Sequence, residues 1–121
     1  MSQAQTHVRD VLTAALPDGT VDGSTRAVAL QNGRVWVLQG SWRLAVEGPG
    51  ETVGVVVAVA AGHHNRLDEL TDQVFAALRA DGTATPSEFT TQYGVSTVVP
   101  GRQTGTPADM VTVTVTTPFD R

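Results

Sequence analysis

Between Thr52 and Ala61 nearly every position is apolar, and from Leu67 to Leu78 apolar positions recur at steps of three and four. The first pattern predicts a central strand covered on both faces, the second an amphipathic helix. The strand's faces differ in bulk. Val53, Val55, Val57 and Val59 share one side, while Gly54, Val56, Ala58 and Ala60 share the other, because side chains alternate along a strand. The light face is the one expected to let a helix approach, and the valine face to pack a second layer. In the helix, Leu67, Leu70, Val74, Ala77 and Leu78 form the apolar stripe, widened by Phe75. Asn65 is the expected N-cap, Asp68 and Glu69 the first-turn acids, and Asp81-Gly82 the stop.

The flanking stretches carry weaker periodicities. Ser2–Leu16 reads as a first helix with Ser2 and Gln5 as a capping box and Ala4, Val8, Val11, Leu12, Ala15 and Leu16 as its stripe. Pro17-Asp18-Gly19 ends it. Arg26–Gln31 and Arg34–Gln39 flank Asn32-Gly33, a strong hairpin signal. Arg34–Glu47 reads either as two strands parted at Gly40-Ser41 or as one bent strand, with Trp42, Leu44 and Val46 on the buried side. Gly48-Pro49-Gly50 is a turn into the central strand. Thr83–Ser87 is expected to be loop, and Glu88–Val99 a strand with an irregularity at Gly94. Pro100–Ala108 is expected to be a long connection suited to contact, and Met110–Thr117 a closing strand. On that strand Val111, Val113 and Val115 alternate with Thr112, Thr114 and Thr116. The expected fold class is α+β: one domain over residues 1–121, with a mostly antiparallel sheet, an N-terminal helix and a second helix at about 66–80 packed on it.

Composition changes this picture little. The chain has 121 residues, no cysteine, and a formal net charge of -4. Disulfides and thiolate metal sites are excluded. All eight basic residues are arginine and none is clustered, so specific nucleic-acid binding is not expected. Lysine and isoleucine, whose codons are AT-rich, are both missing, which points to a GC-rich genome. No charged-then-apolar leader pattern opens the chain, and no apolar run approaches the ~20 residues of a membrane helix. A soluble protein, not secreted by a signal peptide and without membrane contact, is expected.

Candidate chemistry is sparse. His63-His64 is a possible metal ligand or general base, but adjacent residues share one metal poorly, and a solvated corner is the preferred reading. No serine lies in a G-x-S-x-G elbow, and Gly48-Pro49-Gly50 opens no helix. Asp68, Glu69 and Asp72 read as helix charges before they read as a metal cluster. Trp36 and Trp42 read as core or interface aromatics. No catalytic residue, metal or cofactor is assigned, and a non-catalytic role is expected.

Three segments in this order carry a likeness to a known family: VRDVLTAALPDG, then VGVVVAVAAG with LDELTDQVFAALRADG, then MVTVTVTTP. The whole-chain layout resembles the tail terminator proteins of long-tailed bacteriophages and prophages. The resemblance implies a hexameric ring that caps the tail tube and presents it to the head connector. Its partners would be copies of itself, the major tail tube protein and a connector or stopper protein, within the virion. It carries over no catalytic residue. Candidate interface positions are Trp42, Arg43, Arg102, Gln103, Thr112, Thr114 and Thr116, with Gly40–Gly50 and Pro100–Ala108 as contact segments. Two rival readings stand beside it. One is another head-tail connection protein such as a stopper. The other is a cystatin-like or helix-grip ligand domain, its pocket lined by Trp36, Trp42, Phe75 and Tyr93 with His63 or His64 at the mouth.

Overall fold

A computed structural model describes residues 3–22, 33–39, 51–82, 85–95, 98–99, 102–103 and 107–118. Ser2, Arg26–Gln31, and the segment 40–50 with Trp42 and Arg43 lie outside the described residues, and so do the expectations placed on them.

Among the described residues, two helices, α1 (Gln3–Ala15) and α2 (His64–Asp81), accompany six strands: β1 (Arg34–Gln39), β2 (Glu51–Ala60), β3 (Thr85–Val95), β4 (Val98–Val99), β5 (Arg102–Gln103) and β6 (Ala108–Thr117). The fold is α+β, as the periodicities predict. Four strands form an antiparallel sheet in the order β1-β2-β6-β3, and β4 and β5 form a separate two-stranded ribbon. The two all-apolar or alternating strands, β2 and β6, are its centre. They pair over their full lengths, Glu51 opposite Thr117 through Ala60 opposite Ala108.

Both helices pack on one face of this sheet, and on each other. That face is the valine face, contrary to the expectation that the lighter side of β2 receives a helix. Val53, Val55, Val57 and Val59 join Val35, Val37, Val111, Val113 and Val115 in one core with Val8, Leu12, Leu67, Leu70, Val74 and Leu78. The light face has another use. Trp36 sits opposite Val56 and Leu38 opposite Gly54, and Trp36, Val56 and Ala58 form a second buried cluster. A Cβ on Gly54 would already meet the Leu38 carbonyl and Cβ at about 4 Å. Small residues on β2 thus make room for large ones on β1, and the helices take the bulkier surface, where more apolar area is removed from water.

Helix boundaries shift at the N-terminal end of α2. The N-cap is His63, without a side-chain cap bond, and Asn65 lies inside the helix. Asp68 and Glu69 therefore fall beyond the first turn, which holds no acid. The reason is tertiary. The His63 amide donates to the Ala60 carbonyl at 3.1 Å, Gly62 takes φ 89°, and His64 is tied to β6, so the turn starts the helix before Asn65 is reached. The other end follows the expectation: Gly82 is left-handed at φ 75° and its amide donates to Leu78 O at 3.3 Å. In α1, Ala4, Val8, Leu12 and the following Leu16 are buried, while Val11 is half-buried and Ala15 exposed.

The C-terminal half departs further from a reading as loops. Thr85–Ser87 already belongs to β3 and Ala108 to β6, and Arg102–Gln103 pairs with Val98–Val99 inside the supposed connection. The irregularity at Gly94 is present: the β3–β6 register shifts between Gln92 and Val95, and Gly94 has φ 62°. Among the described residues, no helix is long and apolar enough to cross a membrane.

Candidate functional site

Two places gather polar or aromatic side chains that the core does not need. The first is the corner where β2 turns into α2. Asp109, only 1% exposed, sits on the valine side of β6. Its Oδ1 accepts from the Gly94 amide at 2.9 Å and its Oδ2 from the Gly62 amide at 3.2 Å. His64 Nδ1 lies 2.8 Å from Oδ2, and Tyr93 meets the His64 ring edge-on at 4.7 Å. One carboxylate thereby fastens three segments: the start of β6, the β2–α2 corner and the β3 bulge. The His63-His64 corner is exposed as expected, but it is not merely solvated; His64 is held by a buried acid. A signal for Asp109 existed in the sequence. It occupies the parity of Val111, Val113 and Val115, a buried position where an acid demands partners.

An imidazole backed by a buried carboxylate also suits proton transfer. The open groove beside it is lined, among the described residues, by Gly62, His63, Asn65, Arg66 and Glu69 along with His64, none of which is a hydroxyl or thiol nucleophile. The geometry supports a fastening role. The Gly94 amide is the first cause holding the Asp109 carboxyl below its ordinary value of 3.8, with the Gly62 amide and His64 acting the same way and burial opposing them. A carboxyl so depressed stabilises the fold above 3.8, and that contribution is lost as pH falls through the lower folded value. Asp109→Asn is therefore expected to lower the urea midpoint at pH 7, with the gap to the parent chain closing below pH 3.8. Urea titrations at several pH values check this.

The second place is the outer side of β3. The opposite sheet edge, β1, is partly covered: Val21 bridges Val35 in parallel, the Asp22 amide donates to Val35 O at 2.8 Å, and the Val35 amide donates to Thr20 O at 2.9 Å. Among the described residues, no strand pairs with the outer edge of β3. Its eleven residues span roughly 35 Å. Register shifts interrupt it between Pro86 and Glu88 and between Gln92 and Val95, and proline and bulges are devices that protect an edge. The regular window between them runs from Glu88 to Gln92 and carries Phe89, 65% exposed.

Phe89 also closes one side of a groove. It meets Phe75 of α2 edge-on at 6.1 Å, and Arg79 lies over the Phe75 ring at 5.4 Å. The groove, about 330 Å³, is lined by Asp68, Thr71, Asp72 and Phe75 from α2, by Phe89 and Thr91 from β3, and by Val111. Thr71 is 8% exposed, and its Oγ1 is buried without a hydrogen-bond partner among the described residues. An unmet buried hydroxyl costs about 1–3 kcal/mol. Thr71→Val keeps the shape and removes the unmet group, so it is expected to stabilise the isolated chain by about 1 kcal/mol in denaturant unfolding.

Of the positions singled out from the sequence, Trp42 and Arg43 lie outside the described residues. Arg102 and Gln103 are described in backbone only, as β5. Thr112, Thr114 and Thr116 do share the face away from the helices, but β6 is a central strand; Thr114 is 3% exposed and its neighbours are half-buried. Thr112 and Thr114, with Glu88 and Thr90, line a shallow groove of about 220 Å³. The aromatic set imagined for a ligand pocket is split: Trp36 is buried on one face of the sheet, while Phe75 and Tyr93 lie on the helix side. The β3 edge and its groove were missed because a strand's place in the sheet order is not written in its own residues. Compared with protein-family models, curated proteins and solved structures, the chain finds no match in any of the three.

Proposed function

We propose that this chain is a non-catalytic structural subunit of a long-tailed bacteriophage, a tail terminator that closes as a ring on the tail tube and joins the tail to the head connector. The observation that carries the reading is the outer β3 edge, unpaired among the described residues, with exposed Phe89 between two register shifts. An apolar side chain beside unpaired backbone amides and carbonyls is the chemistry of strand-mediated assembly. The edge is also unlike the opposite one, which residues 20–22 partly cover. Unlike edges favour head-to-tail contacts, and such contacts close into rings when the rotation permits.

The resemblance of the three segments to tail terminators supports the same role, as does a net charge of -4. An acidic subunit around a DNA passage repels the polymer instead of gripping it. The partners would be further copies of the chain, the major tail tube protein and the connector. Native mass spectrometry across protein concentration, with and without magnesium, tests the reading. A six-subunit species is expected. A chain that stays monomeric even when mixed with purified tail tubes, and leaves them uncapped, would overturn it. A stopper would bind the connector and leave the tube ends free.

A further inference from the structure

Phe89 and Tyr93, 65% and 61% exposed, are the large apolar side chains left exposed among the described residues, and both belong to β3. They stand four residues apart, so they share one side of the strand with Thr91 between them. That side faces the helices: Phe89 lies against Phe75 and Tyr93 against His64, both of α2. Among the described residues, no strand pairs with the outer edge on which the two rings stand. Exposed rings in a row beside unpaired backbone groups mark a surface that association covers.

Their spacing selects the occupant. A second copy of β3 laid antiparallel about Thr91 puts Phe89 of each copy directly opposite Tyr93 of the other, and Thr91 opposite itself. Two aromatic cross-strand pairs result, the kind of pair that stabilises a sheet. Paired residues share parity, so the outward backbone groups of one strand meet those of the other. A register about Phe89, Thr90 or Gln92 leaves Tyr93 without an aromatic partner. An unrelated strand would need two matching rings of its own; a second copy has them by symmetry. The charge on the strand agrees. Glu88 is the one charged residue of β3, and in this register it falls opposite Gly94. The two Glu88 positions then lie six residues, roughly 20 Å, apart along the contact.

We infer that the free chain forms a reversible two-fold dimer in which β3 pairs with β3 of a second copy, antiparallel about Thr91. The four-stranded sheets of the two copies join edge to edge, with the helices of both on one face. The contact is small. A strand roughly 35 Å long in a sheet about 10 Å thick gives roughly 350 Å² from each copy and about 700 Å² in all, below the ~1,200 Å² of a stable complex. The dimer is therefore weak and depends on concentration. Both copies bring Asp68 and Asp72 to the helix side of the joined sheet, so screening by salt is expected to strengthen it. Such a contact is isologous and closes at two copies, unlike the head-to-tail contact of a ring. One edge cannot serve both, so the dimer masks β3 in the free chain and gives way when a ring takes the edge. The inference goes beyond the ring reading and stands without it.

A cysteine on the axis tests it, since the chain has none of its own. Thr91→Cys would face itself across the dimer at about 4.5–5.5 Å between Cα atoms, within disulfide reach. Gln92→Cys, the control, would face Thr90 instead. Both variants, with melting curves to verify folding, are incubated with oxidised glutathione at concentrations where sedimentation velocity shows the parent dimer. Thr91→Cys is expected to form a covalent dimer at least tenfold faster than Gln92→Cys. Phe89→Ala and Tyr93→Ala are each expected to weaken reversible dimerisation at least tenfold. Equal linking of the two cysteines would overturn the register and the inference with it. A parent chain that sediments as a monomer at every concentration and salt would overturn the dimer. So would a six-subunit species whose Thr91→Cys variant links no copies, and that outcome leaves the ring reading standing. Covalent Thr91→Cys dimers from a parent chain that leaves tail tubes uncapped would uphold the dimer and overturn the ring reading.

Discussion

Leu70→Ala is expected to destabilise the chain by about 2–5 kcal/mol, the range for removing a fully buried leucine side chain from a core that relaxes only in part. Leu70 is 0% exposed and lies on α2 in the core that the helices form with the sheet. Valines supply most of that core from the strand side, so the leucines of α2 provide much of its depth. Branched side chains fixed in a sheet move little to fill a hole, which places the loss toward the upper part of the range. Against a total of about 5–15 kcal/mol for a domain, this is a large share. The check is equilibrium urea unfolding, where the midpoint falls while the slope stays the same. Glu69, one residue earlier and exposed, is the control; its change to alanine is expected to shift stability by no more than about 0.5 kcal/mol.

Phe89→Ala should separate assembly from folding. The side chain is 65% exposed, so its loss is expected to cost the isolated chain under about 1 kcal/mol, the worth of an aromatic edge contact such as that with Phe75. In a ring the same residue would be covered at every interface. An aromatic anchor at an interface centre is worth about 2 kcal/mol or more on truncation, which is roughly thirtyfold in each association constant. Because every contact around the ring bears the loss, the fraction of closed rings falls much further than any one constant. Native mass spectra of parent and variant at matched concentration, beside their melting curves, give both readings. Equal oligomer fractions would remove Phe89 and the β3 edge from the interface. A parallel fall in melting temperature would mark Phe89 as a core residue instead.

Leu70 and Phe89 belong to different parts of the molecule, and the sequence makes them unequally visible. Leu70 is legible: steps of three and four among Leu67, Leu70, Val74 and Leu78 place it on the buried stripe by periodicity alone. Phe89 is not. As a sequence, Glu88–Val99 is a strand with two aromatics, Phe89 and Tyr93, and nothing in it says whether a neighbour covers the edge. Asp109 stands between these cases. Its parity along β6 marks it as buried, but its partners Gly62, His64 and Gly94 come from other segments of the chain.

The sequence by itself determined the element types over most of the described chain, the valine and threonine faces of β6, the left-handed stop at Gly82 and the irregularity at Gly94. These are local matters, set by side-chain period and by the backbone freedom of single residues. Only the tertiary structure decided which face of β2 receives the helices, where α2 begins, and which sheet edge is unpaired among the described residues. Each is a competition between distant groups: Trp36 claims the space above Val56 and Ala58, Asp109 captures His64 ahead of Asn65, and residues 20–22 partly cover β1 while, among the described residues, no strand pairs with the outer edge of β3. Period and propensity fix what a segment is. Which surfaces of the segments meet depends on the fit of volumes and the pairing of buried polar groups across the whole chain.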